Sequence, residues 1–260
     1  MELFAVFEEA CEKVRQAGQK IRHADPKDGV KEKEGAFNFV TKYDTMVQEF
    51  LIRELGALLP EAGFVGEEGD CKKEKLSEGY VFIIDPIDGT TNFICGFPCS
   101  AISVALAVQG EVQFGIVYNP FREELFSAFR GKGAFLNGKR LTLSETKLED
   151  GVACMDISPY NFELLDQAME MAKKISYHCM DLRDIGSAAL SICYIAAGRC
   201  NAYYSLKLCV LDYAAAALVL EEAGGRILNK DGERLHLETG VAVIAGAKGA
   251  LEKVLEVLGE

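Results

Sequence analysis

Residues 80–93, YVFIIDPIDGTTNF, limit this chain more than any other stretch. Val81, Phe82, Ile83 and Ile84 are an unbroken β-branched and aromatic run, the mark of a buried strand. The run ends in Asp85. Pro86 has no backbone donor and a fixed φ, so the strand is expected to stop there. Asp88 follows, then Gly89, Thr90 and Thr91. Two carboxylates three residues apart at a strand end suit a hard cation that takes oxygen ligands. The amides of Gly89, Thr90 and Thr91 would face an anion if a helix or turn begins there. A cation beside an anion cradle is a place for a phosphate ester. An Asx-turn uses the same residue types, so this stretch alone leaves both readings open.

A chain of 260 residues can bury a sizeable core, as one domain or two closely packed halves. No apolar run approaches the ~18 residues that span a bilayer. The N-terminus is acidic and amphipathic, unlike a secretory signal, so no membrane partner and a cytoplasmic location are expected. The net charge of −12 argues against nucleic acid as a partner. It would also repel an anionic substrate, unless bound cations reverse the field locally. The nine cysteines form no CxxC pair and mostly sit in apolar runs, which suits reduced, packed thiols. His23, His178 and His236 are far apart and show no ligand spacing.

Apolar residues at helical spacing predict a packing helix over residues 2–22, and a second from Asp44 to Leu59 capped by Asp44 or Thr45. Residues 25–35 read as a charged loop, residues 62–65 as a short strand before Gly66, Glu67 and Glu68. From residue 100 the chain alternates strands and tight turns, with Asn137-Gly138 a strong hairpin signal. This portion reads as an antiparallel sheet. After Gly151, strands alternate with helices: extended pieces at 152–157, 175–182 and 201–205, helices at 161–174, 184–197, 213–223 and 247–258. Gly224-Gly225 makes a good C-cap. The shift near residue 145 predicts two α/β layers of one unit, an N-terminal half over 1–145 and a C-terminal half over 146–260.

The run DPIDGTTNF resembles the signature of the inositol monophosphatase family, Mg²⁺-dependent and lithium-sensitive phosphatases of sugar and nucleotide phosphates. TKYD at 41–44, GEE at 66–68 and LDYAAAALVLEEAGG at 211–225 match in the same order. The resemblance implies an α/β, layered α–β–α–β–α sandwich with the active site between the halves. It implies two or three Mg²⁺ ions, held by Glu67, Asp85, Asp88, Asp212 and the carbonyl of Ile87. Thr90, backed by Glu67 and Asp44, would orient and deprotonate the attacking water, with Asp44 accepting a hydrogen bond from that threonine. In the charged loop, Lys33 is the best match to a lysine near the metals. Homodimers are common among such enzymes, so a homodimer is expected.

Four converging carboxylates could not all stay ionised without cations, and an all-oxygen set with no His or Cys cluster favours Mg²⁺. Asp44 and Asp212 also stand where helix caps are wanted. A haloacid-dehalogenase-type phosphatase is disfavoured, because its acids are spaced DxD and here the spacing is DxxD. A non-catalytic metal- or phosphate-binding relative is disfavoured by the intact set Glu67, Asp85, Asp88, Thr90 and Asp212. The expected substrate is a small phosphate ester, held by Asp88, Gly89, Thr90, Thr91 and the segment Gly186, Ser187 and Ala188. Inositol-specific relatives carry an acid after a Tyr-Tyr pair and a Trp before the last metal Asp. Here Ser205 follows Tyr203-Tyr204 and takes that substrate-binding position, and Leu211 precedes Asp212. Lys207 and Arg183 are candidates to hold a second phosphate, so fructose-1,6-bisphosphate and 3′-phosphoadenosine 5′-phosphate stand as alternatives to inositol monophosphate.

Overall fold

A computed structural model describes residues 3–32, 39–68, 75–157 and 162–259 of the chain. Lys33, Cys71 and Asn161 lie outside the described residues.

Two sheets organise the fold. The larger has seven strands in the order β3-β4-β5-β6-β7-β8-β9. These are β3 (Gly63–Gly66), β4 (Tyr80–Asp88), β5 (Ala101–Val108), β6 (Glu111–Asn119), β7 (Glu124–Phe129), β8 (Gly133–Leu136) and β9 (Lys139–Arg140). All neighbours are antiparallel except β3 and β4. The β8–β9 turn puts Asn137 at φ 50° and Gly138 at φ 79°, the left-handed pair that the Asn-Gly signal foretold. The smaller sheet runs β11-β10-β12-β14-β13. Its strands are β10 (Val152–Asp156), β11 (Asp181–Arg183), β12 (Ala202–Leu208), β13 (Arg226–Leu228) and β14 (Val241–Gly246). A two-stranded ribbon, β1 (Lys31–Glu32) with β2 (Phe39–Val40), stands apart.

The period-2 alternation of the strands dictates the layers. On β4, Phe82 and Ile84 face the core shared with helices α1 (Leu3–Arg22) and α2 (Lys42–Leu58). Val81 and Ile83 face the opposite way, onto α5 (Ala188–Ala196) and α6 (Val210–Ala223). Those two helices also touch the smaller sheet through Cys154, Tyr203, Val243 and Ala245. Ala153, Met155, Tyr204 and Ile244 face away from them, toward α4 (Phe162–Ser176) and α7 (Lys248–Gly259). The result is the expected α–β–α–β–α sandwich. The middle helix α6 is buried on nearly every side, which its run of alanines permits. A Cβ on Gly115 of β6 would fall well inside contact distance of the Ala215 carbonyl, so small residues set how closely helix and sheet approach. No described helix is long and apolar enough to cross a membrane.

Several local expectations are corrected. Strand β4 does not stop at Pro86; it runs to Asp88, with a register shift between Asp85 and Asp88. A bulge is where a strand tolerates a proline without a missing ladder bond. Helix α2 begins earlier than expected, capped by Thr41, with Asp44 closing the capping box from the third helical position. Residues 175 and 176 belong to α4, because Ile175 completes the stripe with Ala168 and Ala172; only Asp181–Arg183 is extended. Helix α5 starts at Ala188, not 184. Gly186 has φ +70° and Ser187 takes the N-cap, accepting from the Leu190 amide.

Candidate active site

The C-terminal ends of β3 and β4 open onto a cleft of about 770 Å³ between the two sheets. Parallel pairing sets Gly66 opposite Ile84, which carries Glu67 out beside Asp85. Two main-chain bonds fix that exit. Buried Gln48 of α2 donates through Nε2 to the Glu68 carbonyl at 2.7 Å, and its Oε1 accepts from the Glu68 amide at 3.0 Å. Asp85 Oδ1 accepts from the Ile87 amide at 3.0 Å, so the Asx-turn is present and serves to aim the carboxylate. Asp88 ends the strand, Gly89 turns at φ 86°, and a one-and-a-half-turn helix α3 (Thr90–Cys95) begins. The Thr90 hydroxyl donates to the Ile87 carbonyl at 3.0 Å.

The far wall comes from the second sheet and its helices. The Ala189 amide at the start of α5 donates to Asp88 Oδ2 at 2.9 Å, and the Ser187 hydroxyl donates to the same oxygen. A carboxylate at a helix N-terminus is favoured by the exposed amides and the helix dipole. Asn92 seals the junction, its Nδ2 donating to Cys99 O at 2.8 Å and Ile185 O at 2.7 Å. Glycine is needed at 89. Its φ is left-handed, and a Cβ would stand 2.8 Å from Gly186 O and 3.0 Å from Cys99 O. Asp212, in the first turn of α6, accepts from the Cys209 amide at 2.8 Å and reaches the cleft from that side.

Glu67, Asp85, Ile87, Asp88, Gly89, Thr90, Thr91, Gly186, Ser187, Ala188, Lys207 and Asp212 therefore line one cleft. Three expected residues do not. Asp44 lies buried behind it and accepts from the Thr41 amide at 2.7 Å and hydroxyl at 2.6 Å. The Thr90 hydroxyl, expected to donate to Asp44, donates to the Ile87 carbonyl. Ser205 is fully buried beneath the cleft. Arg183 sits on edge strand β11, exposed and paired with Asp181 at 2.6 Å. None of the histidines borders the cleft.

The acids repel one another strongly. Burial pushes the Asp85 carboxyl well above the usual carboxylate range, and the charges of Glu67, Asp88, Asp212 and Asp44 push it further. Asp88 is pushed up to about 7 by burial, against the hydrogen bonds from Ser187, Ala189 and Ala188. Burial also raises Asp212, with Asp88 the next cause, against the Cys209 amide. A cation would relieve all three at once. Among the described residues, no three Asp, Glu, His or Cys side chains close a cage around an ion by themselves. Mg²⁺ keeps several waters and takes one or two carboxylates plus substrate oxygens, so an open all-oxygen wall fits it.

Sequence reasoning missed Gln48, Asn92, Asp156 and Tyr203. Asp156 ends the strand VACMD much as Asp85 ends VFIID, and that parallel was its one signal. Gln48 offered only a polar residue beside the apolar positions of α2.

A sequence profile described as the inositol monophosphatase family matches residues 3–260. The chain belongs to the inositol monophosphatase family. It is thus a phosphatase by kinship. It is 37% identical to human "Inositol monophosphatase 2" over 239 residues, covering 89% of this chain and 82% of that one. It is 36% identical to a Pseudomonas aeruginosa protein named "Nus factor SuhB", covering 92% and 90%. An inositol monophosphatase structure from Thermotoga maritima superposes with a TM-score of 0.87 at 29% identity, covering 97% of this chain and 96% of that one. The family's members thus share the layered fold built here.

Proposed function

We propose that this phosphatase is Mg²⁺-dependent and hydrolyses inositol monophosphate and related sugar phosphates by direct attack of water, with no covalent enzyme intermediate. One observation carries the reading. Glu67 from the end of β3, Asp85 and Asp88 from β4, and Asp212 from α6 border one cleft, where burial and the charges of the neighbouring acids raise the proton affinity of Asp85 and Asp212. Glu67, Asp85, the Ile87 carbonyl, Asp88 and Asp212 are the residues that would hold two or three Mg²⁺ ions. Bound there, Mg²⁺ would supply acidity to a coordinated water and neutralise charge on the leaving oxygen and the phosphoryl group.

The chain's own groups do the rest. The amides of Gly89, Thr90 and Thr91, at the start of α3, hold phosphate oxygens. Because the Thr90 proton is committed to Ile87, its oxygen accepts from the attacking water and orients it. Glu67, beside Asp85 and facing the same space, receives the water's proton. Among the described residues, the cleft lining offers no Ser/His/Asp arrangement, which suits single-step displacement.

Lys207 favours a second reading, since it is an exposed cation on the cleft rim where a second phosphate would come near. Phosphate release with Mg²⁺ and with EDTA tests both readings. The panel is inositol-1-phosphate, fructose-1,6-bisphosphate, 3′-phosphoadenosine 5′-phosphate and histidinol phosphate. Turnover of inositol-1-phosphate that vanishes in EDTA is expected. Undiminished turnover in EDTA, or turnover confined to the nucleotide, would contradict the proposal.

A further inference from the structure

Two thiols outside the cleft lie within reach of each other. Cys154 on β10 and Cys200 just before β12 have their Sγ atoms 3.1 Å apart. Both are buried, in the core that α5 and α6 share with the sheets. The hydrolytic chemistry uses neither. The fold ties each to a different wall of the cleft. Cys154 leads directly into Met155 and Asp156, which line it. The amides of Arg199 and Cys200 donate to the Tyr194 carbonyl in the last turn of α5, at 2.9 and 3.4 Å. The first turn of the same helix holds Asp88 through the Ala189 amide. Cys200 follows an exposed turn, Gly198-Arg199, and its own bond to α5 is the longer of the two, so local opening there brings its sulfur to solvent. The Cys154 thiol donating to it, with the charges of Arg199 and Arg183, holds the Cys200 thiol below its usual range against the cost of burial. Arg183 stands opposite Cys154 in the β10–β11 register.

We propose that Cys154 and Cys200 are a redox modification site, closing to a reversible disulfide that staples β10 to the end of α5 and slows turnover. The oxidant is a hydroperoxide, small and uncharged enough to reach a briefly opened turn. The Cys200 thiolate sulfur attacks one peroxide oxygen, the O–O bond breaks and hydroxide leaves, which gives a sulfenic acid. The Cys154 sulfur then displaces hydroxide from that sulfur, and its own proton completes the water. Two thiols lose two electrons, and one hydrogen peroxide is reduced to two waters. A covalent bond is shorter than the present contact, so closure draws β10 toward the α5–β12 turn. Asp156 and Asp88 stand where the two tied elements meet the cleft. Misplacement of about 1 Å in an active site costs up to ~100-fold in rate.

The test uses the reduced full-length protein, Cys154→Ala and Cys200→Ala. Each is treated with hydrogen peroxide, its remaining thiols are blocked with iodoacetamide, and its peptides are weighed by mass spectrometry. Phosphate release from p-nitrophenyl phosphate with Mg²⁺ is measured before treatment, after it, and after dithiothreitol. In wild type, a pair of peptides joined through Cys154 and Cys200, lighter by two hydrogens than the two thiols, is expected. Turnover should fall about fivefold or more with that linkage and return in dithiothreitol. Both alanine variants should lack the linkage and keep their turnover through the treatment. Wild type without the linked pair overturns the proposal, and this readout needs neither variant to fold. A linked pair with turnover unchanged overturns it as well, because the bond would then not reach the cleft. The same reversible loss in the two variants overturns it too, by placing the sensitive thiol elsewhere among the nine cysteines.

Discussion

At the scale of single residues, the carboxylates divide their work between structure and chemistry. Asp85 aims itself through the Ile87 amide, Asp88 caps α5, and Asp212 holds the Cys209 amide. Each therefore has a reason to exist without metal, and each still borders the cleft. Asp88→Asn removes a charge while keeping the size that α5 needs. It should cost turnover more than the ~10–100-fold typical of a lost outer-shell partner, with a melting point equal to or above wild type in EDTA, because a repelled charge is gone. Steady-state phosphate release and a thermal melt check both halves. Gln48→Ala leaves the Glu68 main chain without its two partners, at a cost of about 1–3 kcal/mol per unsatisfied buried group. With Glu67 no longer fixed, kcat should fall about tenfold while KM changes less. The acids were legible because they sit in short motifs with a local chemical logic. Gln48 was not, because its role depends on the Glu68 main chain, which only the fold brings near. Arg183 was misjudged for the same reason: proximity in sequence to 186–188 says nothing of an edge strand that turns it outward.

Among the elements, close approach governs the geometry. The order of strands and helices followed from period and turn chemistry, and the hairpin at 137–138 from two residues. The starts of helices were harder to place. Thr41 and Ser187 cap because of where their backbones turn, which composition does not reveal. Pro86 suggested a stop where the strand instead absorbs a bulge. Helix α6 is held against β6 by Gly115, so Gly115→Val should destabilise by about 1–3 kcal/mol or more, read as a lower melting point with unchanged cleft ligation. Gly89→Ala strains a left-handed residue and pushes Cys99 and Gly186 apart. It should reduce kcat/KM about tenfold or more, with a smaller effect on melting than Gly115→Val.

For the molecule as a whole, the two sheets meet α5 and α6 from opposite sides, and the cleft opens where their strand ends face each other. The acids in it make stability depend on pH in a definite direction. Folded Asp85, Asp88 and Asp212 all hold protons more tightly than they would unfolded. Their contribution is therefore complete below the ordinary carboxylate pKa of ~4 and is lost as pH rises through the folded values, about 7 for Asp88. Metal-free protein should melt at a lower temperature at pH ~8 than at pH ~5, and saturating Mg²⁺ should raise the melting point more at the higher pH. The overall charge of −12 makes the local reversal of sign by a cation necessary for any anionic substrate. The most direct measurement is calorimetric titration of Mg²⁺ into metal-free wild-type protein and into Asp212→Asn, whose substitution lies on the opposite wall from the β4 acids. Binding to wild type, weakened about tenfold or more in the variant, is the predicted result. Equal affinity in the two proteins, or no Mg²⁺ binding to either, would contradict a metal centre assembled from both walls of the cleft.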